Sequence, residues 1–285
     1  MRAFDYVACA TIEEACAVLA AHAGRARVLA GGTDLLLELR RPGARAPEVV
    51  VDISPIRALE GIESRDGRLR LGPLTTHAAL SRSEVVRREA GFLAEAAAAV
   101  GSAQIRNRGT IGGNVMNAAL CADTVPALVA LGARLTLQSA RGAREVGIAD
   151  FFERAYVTRA RPDELLTAIA FDALPAGARC AFVKLGRRNV VSIARLSVAA
   201  AVTLGPGGAV TEARLVPGAA LPVWRRVTEA ESLLLGERPS AERLAAAGRA
   251  AADAMVGATG RRWSTEYKEP VLAVLARRAL EACCR

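Results

Sequence analysis

Short apolar blocks alternate with polar ones along the first 54 residues of the chain. The segment TIEEACAVLAAHAG has the apolar spacing of a helix, with Thr11 as its N-cap and Gly24 as its stop. The runs ARVLA and EVVVDI are short and apolar, which is typical of buried strands. Between these runs, helical spacing predicts a second helix from Thr33 to about Pro42. The pattern therefore predicts a compact unit in which strand, helix and strand alternate.

Residues 55–175 form a second predicted unit, with an alanine-rich helix at GFLAEAAAAVG and a strand at ARLTLQS. Between these two elements lies the glycine-containing segment GSAQIRNRGTIGGNVMNAALCAD, which we predict to be a long loop followed by a helix at ADTVPALVALGA. Long loops in compact domains are usually either functional or disordered. Because this one mixes aliphatic residues with glycine, we expect it to be functional.

The character of the chain changes near residue 175. Three runs, CAFVKLG, SIARLSVAAAVTL and AVTEARLVPGA, predict strands separated by turn residues, and hence an antiparallel meander. From about Val227 to the end of the sequence the pattern is helical. We therefore predict a domain boundary near residue 175.

Charge and hydropathy exclude two classes of partner. The formal net charge is +9, but the arginines are scattered and no run interleaves basic with aromatic residues, so we expect no nucleic acid. No apolar run reaches the roughly 18 residues of a membrane span, and the first residues lack the apolar core of a signal peptide. The expected location is therefore the cytoplasm. Lys184 and Lys268 are the only lysines, so a lysine beside a motif is notable.

The positions of cysteine and histidine bear on which metal sites, disulfides and catalytic triads the chain can contain. The six cysteines lack the CxxC spacing of zinc and iron–sulfur sites and the density of a disulfide scaffold, so free thiols are expected. His22 and His77 are the only histidines and lie far apart in the sequence. This disfavours a histidine-rich metal centre in the chain and a Ser-His-Asp triad.

A pair of glycines interrupts the apolar run VLAGGTDLLLELR where a strand is predicted to end and a helix to begin. Glycines at such a turn let the phosphates of a ligand approach the backbone, and free amides at the helix start supply hydrogen-bond donors. The turn would consist of Gly31, Gly32, Thr33 and Asp34. An equally good interpretation is that the glycines only permit a tight turn. The motif is neither the GxGxxG of a nicotinamide-binding unit nor a phosphate loop.

A second glycine pair occurs in GTIGGN, residues 109–114, within the predicted long loop. Two such loops in one domain suggest a ligand with two phosphates held between them. Asp123 follows a few residues later. It could accept hydrogen bonds from a ribose hydroxyl or an adenine amine, and it could equally be the N-cap of the next helix.

Together these motifs resemble those of the FAD-binding medium subunit of the molybdenum hydroxylases, the xanthine dehydrogenase and carbon monoxide dehydrogenase family. The motifs AGGTDLL, TIGGN, ADTVPALVALGA, FVKLGRR and SIARLSVA occur in that order, and STEYK precedes the last helix. The resemblance covers essentially the whole chain. It implies an α+β fold: an FAD-binding domain of the PCMH/VAO type at 1–175, with subdomains at about 1–54 and 55–175. A C-terminal domain at 176–285 would follow, with a three-stranded antiparallel sheet and a helical bundle.

The resemblance also implies which residues bind the cofactor. The first loop would wrap the FAD pyrophosphate with its backbone, and it comprises Val28, Leu29, Ala30, Gly31, Gly32, Thr33, Asp34 and Leu35. The second loop comprises Thr110, Ile111, Gly112, Gly113 and Asn114. Asp123 would hold the adenosine end, and Leu166 would pack against the flavin or adenine. Lys184 would lie near the isoalloxazine, where a cation stabilises reduced flavin, or would be a surface lysine on a strand.

By resemblance, the function is to relay electrons from a partner's two-iron iron–sulfur clusters through FAD to NAD, oxygen or quinone. The implied partners are a large subunit with the molybdopterin cofactor and a small iron–sulfur subunit, in a dimer of heterotrimers. Ala119 and Leu120 depart from a serine and a proline common in relatives. Two other functions are considered: a self-contained FAD-dependent oxidoreductase and a non-catalytic basic binding module. The scarcity of histidine disfavours the former, and the ordered series of motifs disfavours the latter.

Overall fold

The computed structural model describes residues 3–43, 46–188 and 191–285. The first unit is a three-stranded parallel sheet in the order β1-β3-β2, so the last strand of the unit lies in the middle. All four residues of β3 are buried because the strand is covered on both faces. The elements are β1 (Asp5–Ala8), α1 (Ile12–Ala21), β2 (Ala26–Leu29), α2 (Leu35–Leu39) and β3 (Val49–Asp52).

Two helices of this unit test the predicted helix signals. α1 begins at Thr11 as predicted, because the Thr11 side chain accepts a hydrogen bond from the backbone of Glu14 and the Glu14 carboxylate accepts one from Thr11. α2 is shorter than predicted, since it begins only at Leu35 and ends at Leu39. The residues before it form a turn, in which Gly32 has a left-handed φ of +74° that a helix does not accept.

The second unit is built on an antiparallel sheet of five strands in the order β4-β5-β10-β6-β7. Its strands are β4 (Ile62–Arg65), β5 (Arg68–Leu71), β6 (Arg134–Ser139), β7 (Gly142–Gly147) and β10 (Leu165–Asp172), with a two-stranded ribbon of β8 (Phe152–Arg154) and β9 (Val157–Thr158). Its helices are α3 (His77–Arg82), α4 (Glu84–Glu89), α5 (Gly91–Ala98), α6 (Ala103–Arg108), α7 (Ile111–Asn117) and α8 (Thr124–Ala130).

The prediction of one long loop between α5 and α8 is wrong, since this segment contains the two short helices α6 and α7. Ser102 caps α6 by accepting a hydrogen bond from the Ile105 amide, and Thr110 caps α7 by accepting one from the Gly113 amide. The second glycine pair thus lies inside the first turn of α7. Glycine is a poor helix former, which is why the sequence pattern favoured a loop there.

The third unit confirms the predicted meander, because β11, β12 and β13 pair antiparallel in chain order. Side chains of β12 alternate between two cores: Val198 and Val202 face the long helices, while Ala199 and Ala201 join the core of the second unit. Both faces of β12 are therefore buried. The elements are β11 (Arg179–Leu185), β12 (Leu196–Leu204), β13 (Val210–Gly218), α9 (Thr228–Glu231), α10 (Ala241–Thr259) and α11 (Thr265–Cys284).

The predicted α+β class is confirmed by this arrangement. Helices and sheets are segregated in the second and third units, whereas the first unit alternates them. Among the described residues, no helix is both long enough and apolar enough to span a bilayer.

Candidate functional site

The first glycine loop, Ala30–Asp34, follows the carboxyl end of β2, and its two glycines meet different demands. At Gly32 the backbone is left-handed, and an added Cβ would also lie 3.0 Å from a methyl carbon of Leu29. At Gly31 the backbone conformation is ordinary, but an added Cβ would lie 2.0 Å from the carbonyl oxygen of Arg108. Gly32 therefore makes the turn, and Gly31 lets this loop contact the chain just before the second loop.

The first glycine loop also carries a row of free donors. The backbone N–H groups of its five residues, Ala30 to Asp34, have no acceptor within the described parts of the chain. Neighbouring amides are paired: Ile53 donates to the carbonyl of Leu29, and Leu36 donates to that of Gly32. Consecutive free amides ahead of a helix form a site for an anionic group such as a phosphate.

The second glycine loop, Thr110–Asn114, differs in that its glycine amides are already used within the chain. Gly112 donates to the carbonyl of Pro73, and Gly113 donates to the Thr110 hydroxyl. An added Cβ at Gly112 would lie 2.4 Å from Cβ of Pro73, so this glycine is required for packing. Gly113 is exposed, and Asn114 accepts a hydrogen bond from the Thr124 hydroxyl at 2.7 Å. What this loop offers a ligand is therefore the open surface of Gly113 and the Asn114 amide.

Short antiparallel pairing anchors the second glycine loop to the residues ahead of α3. The amide of His77 donates to the carbonyl of Gly109, and the amide of Ile111 donates to that of Thr75, both at 3.0 Å. Because Gly31 touches Arg108 on the other side, the two glycine loops meet at this point. The sequence predicted two loops around one ligand, and the structure brings the two loops together.

Asp123 and Lys184 form a buried ion pair. The Lys184 Nζ atom lies 2.6 Å from Oδ2 of Asp123 and donates also to the carbonyl of Ala99 at 2.9 Å. The lysine side chain is only 13% exposed, so the alternative of a surface lysine is wrong. Asp123 occupies the N-cap position of α8 as predicted, but its side chain caps no backbone amide and pairs with Lys184 instead.

Burial governs the ionisation of Asp123. Desolvation raises its pKa to about 6, although the charge and hydrogen bond of Lys184 oppose this shift. The Oδ1 atom is buried and has no hydrogen-bond partner among the described residues. A carboxylate oxygen in that state is unusual in a folded protein and is typical of a site that a ligand completes.

Cys121 connects the first glycine loop with this ion pair. Burial raises the pKa of the Cys121 thiol, the carboxylates of Asp123 and Asp34 raise it further, and Lys184 lowers it. All three charged groups therefore lie near one thiol. We use the term cleft for the region that includes the first glycine loop, Cys121 and the Asp123–Lys184 pair.

A cavity of about 650 Å³ adjoins the cleft at Lys184. It opens between the C-terminal end of α5, α6 and the segment after β11, and Arg106 and Ser192 line it as well. Arg106 is held by the carbonyls of Val100 and Gly101. Arg106 carries no signal in the sequence, because one arginine among many cannot be distinguished without its spatial neighbours.

The apolar residues that the resemblance implied lie mostly in the core. Leu166 in β10 is 2% exposed and packs within the core of the second unit, so it does not line the cavity. Leu35 is buried, while Val28 and Leu29 are half-buried against the cores of the first unit. Their contact with a cofactor stays a prediction.

Comparison with known proteins places these features in one family. Residues 2–173 match the family described as the FAD binding domain in molybdopterin dehydrogenase. The chain belongs to this family. Residues 181–283 match the CO dehydrogenase flavoprotein C-terminal domain. The resemblance stated from the sequence motifs is therefore confirmed, and the chain is an FAD-binding subunit of the molybdenum hydroxylase type.

Individual relatives match over nearly the full length. The carbon monoxide dehydrogenase medium chain of Afipia carboxidovorans is 32% identical, with 98% of this chain and 96% of the relative covered. A subunit of the 6-hydroxypseudooxynicotine dehydrogenase complex of Paenarthrobacter nicotinovorans is 32% identical, over 97% of this chain and 93% of the relative. The solved structure of reconstituted CO dehydrogenase from Oligotropha carboxidovorans superposes with a TM-score of 0.93 at 30% identity, covering 99% and 98%.

His77, beside the second glycine loop of this family member, is expected to make stability depend on pH. Burial lowers the pKa of His77 to about 4, from 6.5 in a free side chain. As the pH falls below 6.5, His77 becomes protonated in the unfolded chain but stays neutral in the folded chain. The free energy of unfolding therefore decreases. At pH 5 the loss is on the order of 2 kcal/mol.

Urea denaturation of the full chain at pH 5 and pH 7 measures this effect. In a His77→Gln variant the difference between the two free energies of unfolding should shrink by about that amount. An unchanged difference in His77→Gln would show that His77 is not held neutral.

Proposed function

We propose that the cleft holds FAD, with its pyrophosphate on the free amides of Ala30–Asp34 and its isoalloxazine in the cavity beside Lys184. The row of free donors at the first glycine loop carries this proposal. The unpartnered Oδ1 of Asp123 and the size of the cavity support it, since both fit a large polar ligand. Asn114 and the surface of Gly113 would border the same ligand from the second glycine loop.

The contact between Asp123 and Lys184 changes one expectation about which residues would face each end of the cofactor. Asp123 was expected at the adenosine end and Lys184 near the isoalloxazine, which are far apart in an extended FAD. The two side chains are in contact at 2.6 Å, so they would face the same part of FAD. Because Lys184 lines the cavity that can hold a ring system, we assign both to the flavin end.

The bound FAD would supply one-electron and two-electron exchange, and this chain would supply binding, orientation and charge. The first glycine loop would neutralise the pyrophosphate with N–H dipoles. Lys184 would place a positive charge near the ring and favour its reduced form. Lys184 lies on β11 with its side chain only 13% exposed, so little water would screen that charge.

The electrons would come from another subunit. The relatives are named as subunits of larger dehydrogenases, among them the nicotinate dehydrogenase FAD-subunit of Eubacterium barkeri. We infer that this chain, too, joins a large molybdopterin-cofactor subunit and a small iron–sulfur subunit, as a dimer of heterotrimers in the cytoplasm. It would relay electrons from two-iron clusters to an acceptor such as NAD, oxygen or quinone. The FAD domain would end near residue 175.

FAD content of the purified full chain tests the proposal. We expect one FAD per chain, released into the supernatant by acid precipitation, because no covalent attachment is needed to hold a dinucleotide at such a loop. Cys121→Ala is a useful companion variant, since it removes the thiol of the cleft and should still bind FAD. A chain that is purified without flavin and does not take up added FAD would contradict the proposed function.

A further inference from the structure

The buried Asp123–Lys184 pair has a geometry that a simple cofactor contact does not require. An ammonium group has three N–H donors. In Lys184 one is directed to Asp123 and one to the carbonyl of Ala99, at 2.6 and 2.9 Å. One donor remains for the cavity that Lys184 lines. The two acceptors therefore determine the direction in which the ammonium group faces.

Asp123 also changes the charge that reaches the cavity. Its side chain is 6% exposed, so little water screens the pair. An opposite charge at 2.6 Å turns the field of the lysine from that of a single charge into that of a dipole, which falls off faster with distance. A group in the cavity therefore experiences only a fraction of the positive charge of Lys184.

We propose that Asp123 is a positioning residue that orients Lys184 and partly cancels its charge, so that the pair sets the reduction potential of the flavin. This inference rests on the proposed function, because it assigns the cavity to the isoalloxazine. Reduction to the anionic form adds negative charge to the ring. A nearby positive charge stabilises that form, and a neutralised one stabilises it less.

Other groups around the pair remain the same in the test variants. Arg106 and Arg188 line the cavity, Cys121 lies close to the pair, and each of these residues is retained. Differences between variants therefore report on the pair. When Lys184 is removed, burial acts on Asp123 without its cation and favours the neutral carboxylic acid. Removal of the lysine then leaves little charge at either position.

The test is a double-mutant cycle on the FAD-loaded full chain. The midpoint potential is measured by photoreduction against reference dyes, and the Kd of oxidised FAD by fluorescence titration. Asp123→Asn should raise the potential and Lys184→Met should lower it. Each shift should correspond to about a tenfold change in the affinity for reduced relative to oxidised flavin, or about 30 mV for a two-electron couple. The double variant should lie close to Lys184→Met.

The Kd of oxidised FAD and the midpoint potential together separate positioning from binding. Because both side chains would face FAD, this Kd should rise in both single variants, whereas only the positioning role predicts potentials that shift in opposite directions at saturating FAD. Asp123→Glu keeps the negative charge and should have a potential near that of the unsubstituted chain. This variant also keeps the test informative if Asp123→Asn folds poorly. A potential that falls or stays constant in Asp123→Asn, or a loss of FAD without a shift, would overturn the inference.

The outcome also distinguishes this inference from the proposed function. If the unchanged chain binds no FAD, the proposed function fails and the inference fails with it. If the chain binds FAD but the two single variants shift the potential in the same direction, only the inference fails. Asp123 would then be a ligand of the cofactor rather than the residue that positions Lys184.

Discussion

A Gly31→Val variant should lose FAD while the rest of the chain stays folded. Even the first added carbon would lie 2.0 Å from the Arg108 carbonyl oxygen, a backbone atom that no side-chain rotation can move away. The first glycine loop must then separate from the second, and its free amides would no longer face the cleft. We expect the Kd of FAD to rise about a hundredfold or more, on the order of 3 kcal/mol.

Gly257→Ala is the matched control for this variant. Gly257 lies within α10, where an added Cβ meets no heavy atom within 4 Å, so binding should be unchanged. Circular dichroism should show that the helices of the third unit persist in Gly31→Val. Gly32 is a less informative position, because a left-handed φ strains any substitution with or without a ligand. Full FAD occupancy in Gly31→Val would show that contact between the loops is unimportant for binding.

Local sequence patterns predicted those elements of the fold that local physics determines. The α1 helix carries its own capping box, and the strands β11 to β13 follow one another in chain order, so both were predicted. Strand β1 was missed because its four residues are mostly exposed and its pairing partner, β3, lies over 40 residues away in the sequence. The Asp66-Gly67 turn between β4 and β5 is a hairpin signal that could have been recognised.

The candidate site likewise has some features that the local sequence reveals and others that depend on long-range contacts. The glycine loops are visible in the sequence because each contains two adjacent glycines, and glycine is a poor former of helices and strands. Gly32 makes the turn and Gly31 makes the contact between the loops. The role of Gly31 depends on Arg108, a residue far from it in the chain. The pair of Asp123 and Lys184 joins positions 61 residues apart, so neither its contact nor its burial follows from local spacing. Long-range contacts of this kind require the fold.

The relay function leads to the second large expected effect. A flavin held in this cleft should be reduced by the iron–sulfur subunit. In the proposed relay the electrons come from the two-iron clusters of that partner, and this chain holds only the flavin that receives them. The isolated FAD-loaded chain should not oxidise an organic substrate when only an electron acceptor is added. Flavin reduction should be nearly complete with the reduced iron–sulfur subunit and nearly absent with an organic substrate alone. This contrast separates a relay subunit from a self-contained flavoprotein oxidoreductase.

Anaerobic mixing of the FAD-loaded chain with its reduced iron–sulfur partner tests the central claim most directly. The partner is reduced chemically, freed from excess reductant and added in enough equivalents to supply two electrons per flavin. The account predicts that the visible absorbance of oxidised flavin disappears with the reduced partner and persists with the oxidised one. If the flavin stays oxidised with the reduced partner although dithionite reduces it, or if the isolated chain oxidises a substrate alone, the account is contradicted.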